Sequence, residues 1–313
     1  MNSSCIHLFI NIKLQKRSII DCVFSVRSFS MPVITLQVRP LTGALGAEIE
    51  GVDLSRPLAK EQIEEIHQAF LKHQVLVFRG QTLTPQQQVG VAKLFGKPAI
   101  YPFLRGLDEA PEVSVLAKAP EDKVIFGGNW HSDTAYKDAP DMGTLLYARE
   151  VPEAGGDTLF ANMYLAYEAL SPGMKSLLEG VSAIYSSEKG YAGRRAERMK
   201  SIQGMKSAVA EEVKTFESEH PVIRTHPETK RKSLYISRSH AVRFKDMTED
   251  ESTPLINWLA DFAVRPEFTC RVRWKAETLT IWDNRCTNHF AVNDCPGMSR
   301  LMHRVTIEGD RPV

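Results

Sequence analysis

The apolar runs of this chain are short, and most are bounded by glycine, proline or charged residues, which favours strands over long helices. Val75-Leu76-Val77-Phe78 is stopped by Arg79-Gly80, Thr144-Leu145-Leu146-Tyr147-Ala148 follows Gly143, and Thr158-Leu159-Phe160 follows the turn Gly155-Gly156-Asp157. Further strand signals lie at residues 34–38, 233–237, 278–282 and 304–307. Helical spacing is confined to residues 60–74, with Ile63, Ile66, Phe70 and Leu71 on one face, and to three other segments. One opens at Thr84-Pro85 and closes at Gly96, one spans 162–170, and one follows the capping box Thr248-x-x-Glu251. Strands outnumber helices and do not alternate with them. The pattern predicts a mainly β, α+β fold: a sandwich or barrel decorated with helices.

The 313 residues show no internal repeat or Pro-rich linker after residue 33, so residues 31–313 read as one domain. A formal net charge of +1 gives no global basic field for nucleic acid, and charges interrupt every apolar stretch that could span a bilayer. The five cysteines lack C-x-x-C spacing and are odd in number, as in a reducing compartment. Residues 1–30 differ from the rest: Lys13, Lys16, Arg17 and Arg27 against one acid, Asp21. They read either as a transit peptide with a processing site near Arg27-Ser28-Phe29-Ser30 or as an extension preceding Met31. The location expected is cytoplasmic, or the mitochondrial matrix if the leader directs import.

Chemistry collects in Gly127-Gly128-Asn129-Trp130-His131-Ser132-Asp133. On a strand, residues two apart face the same way, so His131 and Asp133 can reach one point. A third donor, His289, follows in Trp282-Asp283-Asn284-Arg285-Cys286-Thr287-Asn288-His289. Two histidines and a carboxylate make the facial set that leaves positions open on a metal. Arg300 and Arg304, four apart on an apparent strand, face the same way and suit a bidentate anion. No G-x-G-x-x-G, Walker, H-E-x-x-H or G-x-S-x-G motif competes with this reading.

In these motifs, together with Gly-Gly-Asp-Thr158 and in the same order, the chain from about residue 33 onward resembles the 2-oxoglutarate-dependent dioxygenases typified by taurine dioxygenase. The resemblance implies a double-stranded β-helix (jelly roll) core. It implies Fe(II) held by His131, Asp133 and His289, with 2-oxoglutarate and O2 as co-substrates. Thr158 and Arg300 would bind the far carboxylate of 2-oxoglutarate. Arg304 would grip the acidic head group of the substrate or help hold the co-substrate. The expected reaction is hydroxylation of a small anionic substrate (sulfonate, sulfate ester or carboxylate) with release of succinate and CO2. A non-catalytic binding protein on the same scaffold and a zinc hydrolase using the same triad are the other classes. A homo-oligomer is compatible with all three.

The substrate pocket departs from the taurine enzymes, which carry a His where Tyr101 falls, a Tyr near Leu104 and an Asn where Gly127 falls. Tyr101, Asn129, Arg304 and His240 are the substrate-binding candidates. His303 alternates with Arg304 and should face away. His67 and His73 sit on an amphipathic helix, while His220 and His226, beside prolines, read as loop residues. Residues 186–218, polar and mixed in charge, read as a solvated helix or connection, with a lid as the alternative.

Overall fold

Strands marked by apolar alternation form the middle of one large sheet. The computed structural model describes residues 36–189, 195–209 and 214–313; the expected leader lies outside them. The sheet runs Gln37–Pro40, Ala47–Glu50, Val75–Phe78, Leu279–Asp283, Gly143–Glu150, Arg300–Ile307, Ala110–Lys118, Gly106–Leu107, with Pro98–Ala99 beside Arg300–Ile307. Ala47–Glu50 and Val75–Phe78 pair in parallel; the remaining pairs are antiparallel.

Period-two alternation separates its faces. Leu76, Phe78, Leu145, Tyr147, Ile281 and Val305 pack under the helices Lys60–His73 and Pro85–Ala92, against Ile66, Phe70 and Val89. Their neighbours Val75, Val77, Leu146, Trp282 and Met302 join a second core with Phe160 and Ala161. Phe70 and Phe160 are both fully buried, and a side chain of that kind contributes about 1.5–3 kcal/mol. Phe160 belongs to a smaller antiparallel sheet of Thr269–Val272, Thr158–Asn162 and Thr287–Ala291. The space between the two sheets holds the candidate site.

The mainly β, helix-decorated architecture therefore stands, and the capping box holds: Thr248 and Glu251 bond reciprocally at the start of Glu249–Ala263. Three local expectations are corrected. The helix begun by Thr84 stops at Ala92 rather than Gly96, because Leu94 and Phe95 bond back by three residues and tighten the last turn. His220 lies on the strand Glu217–Pro221 rather than in a loop; His226 does sit in the turn segment just beyond Ile223–Thr225, and both are buried. Within 186–218, the helix Arg195–Lys200 and the 3-10 turn Gln203–Ala208 are not a solvated connection, since Met199, Ile202 and Met205 are buried in the inter-sheet core. Among the described residues, no helix is long and apolar enough to cross a membrane.

Candidate metal centre

His131 and His289 are joined through their backbones. His131 N–H donates to His289 O at 3.0 Å, and His289 N–H donates to His131 O at 2.8 Å. This single bridge sets the imidazoles side by side, ring centroids 4.1 Å apart. It also corrects the strand argument for His131 and Asp133. Past His131 the chain enters a turn that reaches a positive φ at Thr134, 52°. Asp133 is brought in by Asn284 instead. Ser132 Oγ donates to Asn284 O at 2.8 Å, and the Asp133 N–H donates to Asn284 Oδ1 at 3.4 Å. Trp282 Nε1 fixes that same Oδ1 at 2.9 Å, while Asn284 Nδ2 donates to Thr144 Oγ1 at 3.0 Å. Thr144 in turn donates to Asp133 Oδ2 at 2.7 Å. The Trp-Asp-Asn-Arg motif thus does more than precede His289; its Asn and Trp orient the carboxylate.

The three side chains converge. His131 Nε2 lies 3.7 Å from Asp133 Oδ1 and His289 Nε2 lies 3.9 Å from Asp133 Oδ2. One donor atom from each falls within 4.8 Å of the others. His131 Nδ1 donates to the Asn129 carbonyl at 2.6 Å, which leaves the Nε2 lone pair facing Asp133. Burial, reinforced by His131, holds the His289 imidazole well below its ordinary range and therefore neutral. Burial alone would raise Asp133; the Arg304 guanidinium and the Thr144 hydroxyl outweigh it and keep the carboxylate ionised. Two imidazoles and one carboxylate fit a divalent metal, with further positions left open.

Two cavities meet at this cluster, both lined by Phe126, Gly127, His131 and Asp133. The inner one is walled by Leu116, Leu146, Thr158, Trp282, Arg300 and Arg304. Arg300 is buried, its Nε and Nη2 have no hydrogen-bond partner, and burial pushes it down to about 10. A buried guanidinium with unanswered N–H groups is costly without an anion. Thr158 Oγ1 accepts from Trp274 Nε1 at 3.0 Å, so its own hydrogen is left for another acceptor. Gly156 admits the arginine; a Cβ there would sit 3.3 Å from Arg300 Cδ on a backbone with φ of 69°.

The outer cavity is the larger of the two. The candidates Tyr101, Asn129 and His240 line it, as does Tyr136, which sequence reasoning missed. The His240 ring stands edge-on to Tyr136 at 5.1 Å and to His131 at 6.0 Å. Arg304 lies between the regions. Its Nη2 pairs with Asp133 Oδ1 at 2.8 Å, and its Cζ sits 4.4 Å over the Tyr101 ring. Gly127 has φ of 81°, and a Cβ there would meet His131 Cε1 at 3.4 Å. An Asn at this position, as in the taurine enzymes, would be strained by the positive φ. His303 faces away, its Nδ1 3.4 Å from Gln88 Nε2.

A second grouping, His226, Asp283 and Cys286, also has the compactness of a metal site. Its donors are already used. His226 Nδ1 accepts from the N–H groups of Glu228 and Thr229, and Nε2 donates to Asp283 Oδ2 at 3.0 Å. Asp283 also accepts from Arg285 Nε and Nη2, each at 2.8 Å. This is a buried ion-pair network behind the metal-bearing strand, not a ligand set.

The profile of the taurine catabolism dioxygenase TauD, TfdA family matches residues 37–306. The chain belongs to the TauD/TfdA dioxygenase family. Among its relatives, an alkylsulfatase of Acinetobacter baylyi is 36% identical, covering 89% of this chain and 87% of its own. An alpha-ketoglutarate-dependent sulfate ester dioxygenase of Pseudomonas putida is 35% identical, over 90% and 92% of the two chains. The crystal structure of a taurine dioxygenase from Burkholderia xenovorans superimposes with a TM-score of 0.75 at 32% identity, covering 89% of this chain and 91% of that one. The TauD/TfdA matches span both cavities and all three cluster residues.

Proposed function

We propose that this TauD/TfdA member is an Fe(II)- and 2-oxoglutarate-dependent dioxygenase that cleaves small sulfate esters. His131, Asp133 and His289 would hold the metal, and Arg300 with Thr158 the far carboxylate of 2-oxoglutarate. The two sheets then read as the walls of a double-stranded β-helix with the reaction between them. The observation that carries the reading is Arg300: fully desolvated, with two unanswered donors, in a cavity that opens on the metal cluster.

The bound iron supplies O2 activation, coupled to oxidative decarboxylation of the keto acid to succinate and CO2. The chain's part is binding and positioning. Thr144 and Asn284 fix the Asp133 carboxylate, and the Asn129 carbonyl fixes the His131 tautomer. Apolar Leu116, Leu146 and Trp282 keep the inner cavity dry. Arg304 offers a cation on the substrate side, braced by Asp133 and stacked on Tyr101. One oxygen atom of O2 enters succinate and the other becomes a hydroxyl on the carbon bearing the ester oxygen. That hydroxylated ester collapses to an aldehyde and sulfate.

Sulfate esters are preferred over taurine on two grounds. The two relatives named above act on sulfate esters by their names, and Gly127 stands where the taurine enzymes place an Asn. The test is a succinate-release screen across alkyl sulfates, sulfonates and carboxylates. Alkyl sulfates should couple best; strongest coupling with taurine would overturn the substrate. For the reaction class, anaerobic addition of 2-oxoglutarate to the Fe(II)-loaded protein should give a visible charge-transfer band. Arg300→Gln should weaken that binding about a hundredfold, and an unchanged titration would refute the role of Arg300.

A further inference from the structure

Asp122 sits outside both cavities, yet its carboxylate joins two segments that line the outer one. Oδ1 accepts from the Gln203 N–H at 2.6 Å; Oδ2 accepts from Gly204 N–H at 3.1 Å and from Ala119 N–H at 2.8 Å. The side chain is buried. The 3-10 turn Gln203–Ala208 begins after Ile202, an apolar residue that supplies no cap of its own. A residue some eighty positions upstream supplies it instead. Burial would raise the carboxyl, but the three backbone N–H groups hold it below its ordinary value, in the ionised form that accepts all three bonds.

Each side of this clasp leads directly into the pocket wall. Val124, Ile125 and Phe126 follow Asp122; Met199 and Ile202 precede Gln203; all five line the outer cavity. Gly204 shows how close the approach is, since a Cβ there would lie 2.7 Å from the Ala117 carbonyl oxygen. On the far side of the turn, Arg105 N–H donates to Ala208 O at 2.7 Å and Leu104 bridges Val209. The rest of the cavity lining includes the polar residues Asn129, His131, Asp133 and His240. An anionic head held by Arg304, which pairs with Asp133 beside this lining, leaves its hydrocarbon tail against the five apolar side chains.

We propose that Asp122 is a positioning residue that holds Met199 and Ile202 against Val124–Phe126, building an apolar wall by which the enzyme selects substrates for their hydrocarbon tail. The inference rests on the sulfate-ester reading for its head group and adds a tail requirement to it. Each methylene buried on such a wall should lower KM about fourfold.

The test is the slope of log KM against chain length for a series of n-alkyl sulfates, measured by succinate release. Asp122→Ala should flatten the slope and raise KM for the longest ester about tenfold, with kcat within about twofold. Trypsin should also cleave faster after the exposed Lys200. Asp122→Asn, which keeps one acceptor oxygen, should fall between. Met199→Ala should flatten the slope without speeding proteolysis, and decides the matter if Asp122→Ala does not fold. An unchanged slope in Asp122→Ala or in Met199→Ala overturns the proposal, whether or not proteolysis quickens, and so does an equal loss of kcat at every chain length. A wild type inactive on all alkyl sulfates overturns the sulfate-ester reading alone. The slope is then read on n-alkanesulfonates, where a flat wild-type line sinks the wall.

Discussion

Two buried histidine–aspartate clusters lie on either side of the same strand end, and they differ in one respect. In His226–Asp283–Arg285 every donor meets an acceptor within the protein. In His131–Asp133–His289 the imidazole nitrogens face a carboxylate across 3.7 Å and 3.9 Å, too far to bond. Residue type and proximity are alike, so neither identifies a metal site. What separates them is geometry: in the latter cluster one atom from each of the three side chains converges on one point without the imidazoles bonding the carboxylate, and beside it Arg300 keeps two donors unanswered in the inner cavity.

Substitutions should therefore divide cleanly. His131→Ala should lower 2-oxoglutarate turnover by about a thousandfold or more while leaving the urea midpoint nearly unchanged; retained succinate production would break the contrast. Asp283→Ala should do the reverse, destabilising the fold by about 3–5 kcal/mol because His226 loses its acceptor and the buried Arg285 keeps only Glu228. Denaturant unfolding measures it, and an Asp283 variant of normal stability would show that the network is ornamental.

A third buried histidine sharpens the comparison through pH. His220 donates from Nε2 to Lys137 O at 2.8 Å, and burial pushes it down to about 4 from an ordinary 6.5. Between those values the unfolded chain takes a proton that the folded chain refuses, so stability is lost as pH falls through this window. The loss should be about 3 kcal/mol, and His220→Gln should flatten the urea midpoint plotted against pH. The smallest effect belongs to the support of Asp133. Thr144→Val removes its 2.7 Å hydrogen bond and should weaken Fe(II) binding about tenfold, measured by anaerobic metal titration.

The cluster and its arginines were legible in the sequence because each rests on short spacing: His131-x-Asp133, the motif ahead of His289, and the four-residue step from Arg300 to Arg304. The reason offered for the first pair was wrong in detail, since a turn and Asn284 do what a strand was expected to do. The strands were legible from alternation, while their order in the sheet was not, because pairing depends on partners far along the chain. His220 was misjudged for the same reason. The proline beside it signals a loop, whereas its partner, Lys137, is distant in sequence. Met199 and Ile202 were hidden among arginines, lysines and glutamates, and Asp122 carries no motif at all.

On the proposed metal reading, the backbone bridge between His131 and His289 would make loading depend on a late pairing. Until Thr287–Ala291 pairs with Thr158–Asn162, His131 and Asp133 would be two candidate ligands without their third. A partly folded chain would then hold an oxygen-activating metal poorly.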